Sequence, residues 1–422
     1  PFNVEFITLT HSIPEPSACV IRTSAGTIMH TGDWKLDSDP KVGPTTDEAA
    51  LIRVGQEGVL AMTCDSTNVF VHGWSGSEGD VRDKLTQLVG TFDNRIVVAC
   101  FASNIARLET IAHAGLAHDR NVALVGRSLW RFYDAARENG YLTEVPRFLS
   151  SKEAAAVPRD KILMICTGSQ GEPRSALARI AAGQHGDVHL EPGDAVIFSS
   201  RVIPGNEKSI GRLQNRLSAL GVDMLTTHDD KNIHVSGHPA RDELAQMYQW
   251  VRPQIAVPVH GEIRHLRAHA ALADACQVPE VHVAPNGTLL RLAPGPAMVI
   301  DEVFAGKLAL DGKRLIPLGS GVIRERHNMM QNGAAVVTLA LDRDGEMQAD
   351  PQITTHGVFD KLADPAIADR LIEAVYDAIE DMPARARRGD DAIREAVRIG
   401  LRRCLRTLCG KRPKTEIHLV RV

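Results

Sequence analysis

Five of the chain's 17 histidines fall within residues 231–270, "KNIHVSGHPARDELAQMYQWVRPQIAVPVHGEIRHLRAHA". Histidine and aspartate at the ends of apolar runs can converge on a hydrolytic metal site, because zinc accepts imidazole nitrogen and carboxylate oxygen. Four places in the sequence have this form: His11 in "LTHSIPEPSA", Asp33 in "HTGDWKLD", His234, Ser236 and His238 in "IHVSGHP", and His260 in "VPVHGEIR". Singly, each has an ordinary reading as a solvent-facing or hydrogen-bonded structural side chain. His265 and His269 follow His260 at helical spacing and His30 alternates along a strand, so all three keep that reading. His234 and His238 have the spacing of a helical metal-binding pair, but Gly237 and Pro239 predict a loop.

These residues need elements to bring them together. In the first ninety residues the pattern is mainly strand, with "ACVIRT" and "TIMHTGD" joined by the turn "SAG" as a hairpin. From about Asn94 the rhythm becomes strand then helix in four units, beginning "RIVVACFA", "NVALVG", "KILMICTG" and "DAVIFSS". Such units predict a largely parallel sheet covered by helices, since parallel strands need crossover connections. The loops "CTGSQGEP" and "SSRVIPGNE" then lie at carboxyl ends of strands, where open α/β sheets bind ligands. Gly168, Ser169 and Gln170 precede a helix expected to start near Pro173, an arrangement that suits an anion as well as an ordinary turn. Residues 301–333 are turn-rich and look like a connecting ribbon. Beyond them two strands and two amphipathic helices predict a small α+β domain.

Length and composition narrow the class. A chain of 422 residues with 44% apolar content is too long for one core, so two or three domains are expected. No apolar stretch is long enough to cross a membrane and no signal peptide is evident, which predicts a cytoplasmic protein. Seven cysteines without a C-x-x-C pair predict buried thiols, not disulfides or a cysteine-built zinc site. The net charge of −4 offers no bulk attraction for nucleic acid, while leaving room for a local basic groove.

Taken together and in order, "HSIPEPSA", "TGDWKLD", "CDSTN", "CTGSQGEP", "SSRVIPGNE", "HVSGHP" and "VPVHGE" resemble the ribonuclease J family, in the β-CASP branch of the metallo-β-lactamase superfamily. The resemblance implies an α/β protein: a partial metallo-β-lactamase αββα sandwich (1–90 and 232–300) with an inserted β-CASP domain (91–231). A linker (301–333) and an α+β C-terminal domain (334–422) follow. It implies that His11, Asp33 and His260 are metal ligands, Asp33 bridging two ions. His238 and the acidic Asp65 would be catalytic, and His234 and Ser236 would hold phosphate. Within this context Gly168, Ser169 and Gln170 become RNA-phosphate contacts, with Ser199, Arg201 and Asn206 as weaker candidates.

The chemistry agrees with those roles. Two metals close together can activate water and stabilise an in-line phosphodiester displacement, and a carboxylate has two oxygens with which to bridge them. His238 would donate a proton to the leaving oxygen or steady the phosphate. Asp65 would orient a histidine or the attacking water. The expected cofactor is Zn²⁺, two ions per complete site, with Mn²⁺ or Mg²⁺ as substitutes. The resemblance implies that the partner is single-stranded RNA, favouring a 5′-monophosphate, cut by 5′-to-3′ exonuclease and endonuclease action. A homodimer or higher oligomer is also expected.

One element of the resemblance is missing: H-x-H-x-D-H, the superfamily's main ligand cluster, does not occur in these residues. With the abrupt start on Pro1, this suggests that upstream residues are absent and that the chain alone is inactive. The alternative is a non-catalytic RNA-binding or dimerising partner of a complete nuclease.

Overall fold

The computed structural model describes residues 2–360 and 366–422; Pro1, on which the expected truncation was read, and Pro365, read as the start of a helix, lie outside the described residues. The chain divides into two compact units, 1–303 and 304–422.

The first unit opens with β1 (Asn3–Thr8), β2 (Ser17–Thr23), β3 (Gly26–His30) and β4 (Ala61–Asp65). The "SAG" hairpin forms as expected, pairing Thr23 with Gly26, which takes the positive φ that glycine tolerates. The chain then builds a second sheet from β5 (Ile96–Ala99), β6 (Asn121–Val125), β7 (Ile162–Cys166), β8 (Ala195–Phe198) and β9 (Asp223–Leu225). It returns to the first sheet through β10 (Ile255–Val259) and β11 (Glu280–Val281).

The first sheet runs β1-β2-β3-β4-β10-β11, and the pairings from β3 onward are parallel. Register explains why distant residues meet. Val259 pairs with Asp65, so His260 and the loop after Asp65 leave neighbouring strands at the same end. His30 pairs with Thr63, which sends Asp33 out at that end too, and a bridge between Thr10 and Lys35 brings His11 beside it.

The second sheet, β6-β7-β5-β8-β9, is wholly parallel. Its inner strands β5, β7 and β8 are buried along their whole length, as expected of a sheet covered on both faces. The loops following β5, β7 and β8 share one edge of this sheet.

Two buried ion pairs stiffen this unit. Lys35 pairs with Asp37 at 2.7 Å, and Asp37 also accepts from Ser77 Oγ and the backbone N–H groups of Asp39 and Glu78. Burial alone would raise the Asp37 carboxyl, but Lys35 and these donors hold it below the usual carboxylate range. The second pair, Arg107 with Glu78, fixes the helix Ile105–Ala117, whose first turn is capped by Asn104.

The second unit carries a hairpin of β14 (Leu308–Asp311) and β15 (Arg314–Pro317), β12 (Thr288–Arg291) and β13 (Met298–Glu302) having closed the first unit. A helix at Gly321–Asn332 follows. The segment expected to be a connecting ribbon thus holds regular structure of its own. Next come β16 (Ala334–Leu341), β17 (Gln352–His356) and β18 (Lys414–Arg421), in the order β17-β16-β18. Two helices cover them through Leu371, Val375 and Ile379 and through Ile393, Val397, Leu401 and Leu405, each set spaced by four residues on one face. In the basic helix, Arg394 and Arg398 pair with Asp391 and Glu395 one turn earlier, which accounts for them as a solvated face.

Candidate functional site

The four places marked in the sequence meet in the first unit. Metal-ligating atoms of Asp33, His238 and His260 all lie within 4.8 Å of one another. His260 Nε2 stands 3.6 Å from Asp33 Oδ1. The His238 ring lies 5.4 Å from that of His260 and 5.2 Å from that of His11, centroid to centroid. His260 and Asp33 are half exposed, so the cluster faces solvent at its mouth. His260 takes a positive φ, directly after β10 and opposite the turn that follows β4.

His11 lies beside this cluster and not within it. Its Nδ1 makes a short hydrogen bond to the Gly237 carbonyl, so Nε2, which lies 3.4 Å from the Ser12 hydroxyl, is the nitrogen that would ligate. Burial holds this imidazole below its ordinary proton affinity and so favours the neutral form that metals need. His238, read from the sequence as catalytic, is the residue that completes the close trio with Asp33 and His260.

The turn Asp65–Asn68 organises the site, each residue by a different contact. Asp65 Oδ2 accepts from His238 Nδ1 at 2.7 Å, and Oδ1 accepts from the backbone N–H and hydroxyl of Thr67. Burial lowers the proton affinity of His238, yet the carboxylate beside it more than offsets this and raises it overall. Ser66 hydrogen-bonds His269 Nδ1 at 2.8 Å, while His269 Nε2 meets the Tyr248 hydroxyl at 2.9 Å, all three being buried. His269 is therefore structural, as its helical spacing suggested. Thr67 donates to the His260 carbonyl, and Asn68 Nδ2 donates to Ser236 Oγ at 2.8 Å and to the His238 carbonyl at 3.0 Å. The segment 234–238 is a loop, as Gly237 and Pro239 required.

His234 joins the second sheet to this loop. Arg107 Nη1 lies 3.4 Å from its Nδ1, and burial together with that guanidinium pushes its proton affinity well down. Ser199, a weaker candidate from the sequence, is buried and bonded to Arg107 and the Ile233 carbonyl, so it is not presented to a ligand.

The loop after β7 departs from expectation. The following helix spans only Ala176–Ala181 and is capped by Ser175, so it begins three residues beyond Pro173. The Gln170 N–H is taken by the Glu172 carboxylate. Its side chain donates to the Arg201 carbonyl and accepts from the Ile203 N–H and Asn206 Nδ2. Gln170 thus clamps the loop after β8, which removes it from the anion contacts expected of it. Gly168 has φ +118° and a Cβ there would meet the Ser175 side chain, so its need for glycine is steric. Ser169 is buried but lines a cavity of about 270 Å³, together with Ser200, Glu207 and His228.

The sequence reading passed over Asn68 and Arg107. Asn68 stands in the quoted run "CDSTN", where a polar cluster reads as a turn. Arg107 sits among Ile105, Leu108 and Ile111, and an arginine on an apolar helix face was the available signal.

Comparison with known proteins agrees with this geometry. Residues 93–217 match the family model "Ribonuclease J, beta-CASP domain", 230–283 match "Zn-dependent metallo-hydrolase RNA specificity domain", and 321–422 match "Ribonuclease J C-terminal domain". Ribonuclease J of Sinorhizobium meliloti is 44% identical over the whole chain, which covers 75% of that protein. Ribonuclease J of Mycolicibacterium smegmatis is 38% identical over 94% of the chain and 71% of its own length. That of Corynebacterium glutamicum is 39% identical over 85% of the chain, a match that spans half of the relative. No helix among the described residues is long and apolar enough to cross a membrane. With 44% identity to one relative across the whole chain and the site side chains converging at one end of the first sheet, the chain belongs to the ribonuclease J family.

Proposed function

We propose that this chain carries the RNA-holding surface and part of the metal site of a ribonuclease that hydrolyses phosphodiester bonds of single-stranded RNA. The observation that carries this reading is the convergence of Asp33, His238 and His260 within 4.8 Å, beside His11 and the loop bearing His234 and Ser236. The donor set is imidazole and carboxylate, which suits Zn²⁺ and also Mn²⁺. Asp33, His260 and His11 would hold metal, with His238 close enough to join them. When bound, metal supplies Lewis-acid polarisation of the phosphodiester and a water of lowered pKa.

The chain's own groups do the rest. His238, oriented through Nδ1 by Asp65, is placed to give a proton to the leaving oxygen or to hold the phosphate when its Nε2 is not ligating metal. Asp65 keeps the His238 ring in orientation, and Thr67 and Asn68 keep Asp65, His260 and Ser236 in place. His234, Ser236 and Ser169 are the phosphate contacts of this reading. A 5′-monophosphate preference, exonuclease with endonuclease action, assembly as a homodimer, a cytoplasmic setting and the domain boundaries near residues 90, 232, 300 and 334 belong to the same proposal.

Four side chains at most cannot fix two ions, because a stable zinc site takes about four protein ligands for a single ion. Residues 1–422 alone are therefore expected to bind single-stranded RNA, to take up no more than one zinc, and to leave RNA uncut. Fluorescence anisotropy, zinc titration and a gel assay with 3′-labelled RNA check this. Robust cleavage by these residues alone would contradict the ligand assignment, and absence of RNA binding would contradict the function.

A further inference from the structure

We propose that Glu243 is a positioning residue of the metal site, tying the loop that carries His238 to the segment that carries Asp33. The inference rests on the metal ligands proposed above and adds a residue outside their set. Glu243 lies in the first turn of the helix Arg241–Val251 and is fully buried, with no cationic partner among the described residues. Its carboxylate instead accepts four hydrogen bonds. Oε1 takes the Leu36 N–H at 2.7 Å and the Ser75 hydroxyl at 2.9 Å, and Oε2 takes the Ala240 N–H at 2.6 Å and the Ser75 N–H at 2.9 Å. The bond from Ala240 is an ordinary cap of the helix N-terminus. The bond from Leu36 spans 207 residues of sequence and serves no helix.

Both links end close to a proposed ligand. Ala240 follows His238 through Pro239 alone, whose ring fixes φ. Leu36 follows Asp33 through Trp34 and Lys35, which are both buried. The Lys35 N–H is itself held at 2.8 Å by the carbonyl of Thr10, the residue before His11. Neither path has much slack, so the spacing of Asp33 and His238 follows the carboxylate that joins them. A glutamine at this position cannot make both links, because it has one acceptor oxygen and its NH₂ group would face the N–H of one segment or the other. The Ser75 hydroxyl can turn to accept, but the Leu36 and Ala240 N–H groups can only donate.

The test is titration of Zn²⁺ into residues 1–422 in competition with a chromophoric chelator, with the thermal midpoint measured on the same samples. Glu243→Gln is expected to weaken zinc binding about 10–100-fold, the range for losing a group that orients metal ligands. Glu243→Asp keeps the charge but is one methylene short of spanning both N–H groups, so it weakens zinc as well and carries the test if the glutamine variant does not fold. Asp194→Asn is the stability control. That carboxylate is also fully buried, holds Arg159 and the Glu191 N–H, and lies just before β8, away from the loops that follow the strands. Its loss should lower the thermal midpoint and leave zinc affinity unchanged. A lowered midpoint with unchanged zinc affinity in Glu243→Gln would overturn this inference alone, as would an equal loss of zinc affinity in Asp194→Asn. An unsubstituted chain that takes up no zinc would overturn both this inference and the metal-ligand assignment.

Discussion

His238→Ala is expected to lower RNA cleavage by about 10²–10⁴-fold, the range for removal of a positioned proton donor. The comparison is made in single-turnover assays of a chain in which residues 1–422 are joined to an H-x-H-x-D-H segment. The size of the effect follows from position. The imidazole is held at 2.7 Å by a buried carboxylate and lies within 4.8 Å of both Asp33 and His260. Asp65→Asn removes the orienting charge but keeps the ring, so a smaller loss of about 10–100-fold is expected. RNA affinity should change far less than cleavage in either variant, because His234, Ser236 and Ser169 remain. A His238→Ala protein that cleaves within a few-fold of the unsubstituted one would remove His238 from the site.

Arg107→Met is expected to destabilise the first unit by about 3–5 kcal/mol, measured as a shift in urea unfolding of residues 1–422. Arg107 and Glu78 are both almost fully buried, paired through Nε at 3.2 Å and Nη2 at 3.0 Å. Removing one partner leaves a buried carboxylate with no opposite charge and a long 3.4 Å hydrogen bond from the Asn104 amide, which is the costly case for a buried pair. Substituting both residues with methionine should recover much of the loss, because neither charge is then stranded. Recovery should stay incomplete, since Arg107 also donates to the Ser199 carbonyl. A single substitution costing less than about 1 kcal/mol, the scale of an exposed pair, would contradict the role given to this network.

The contrast between these two residues shows what the sequence could and could not convey. His238 was legible only through the resemblance carried by the run "HVSGHP", since singly it had an ordinary reading, whereas the four strand-helix units were readable because a two-sided parallel sheet needs unbroken apolar runs. His11, Asp33 and His260 could be grouped because each ends an apolar strand. That they converge is a property of register, above all the pairing of Val259 with Asp65, which local pattern does not specify. Arg107 was hidden because its partners Glu78 and Ser199 lie 29 and 92 residues away, and a buried ion pair leaves no periodic trace. Gln170 was misread for a related reason. Its loop has the composition of an anion cradle, but the carboxylate of Glu172 two residues on occupies the backbone N–H that an anion would use. The hairpin and helix within 308–332 were missed because their apolar residues, including Leu310, Leu315 and Met330, are exposed and show no buried face.

The central claim is that the proposed site around Asp33, His238 and His260 holds and cuts the RNA phosphodiester once its metal ligands are complete. The most direct measurement follows degradation of a 5′-monophosphorylated, 3′-labelled single-stranded RNA with Zn²⁺ or Mn²⁺ present. It compares residues 1–422 with the same residues joined to an H-x-H-x-D-H segment. Cleavage by the joined chain alone, lost on Asp33→Ala, is the expected result. Two inactive proteins that still bind RNA tightly would contradict the claim and leave a non-catalytic RNA-binding partner in its place.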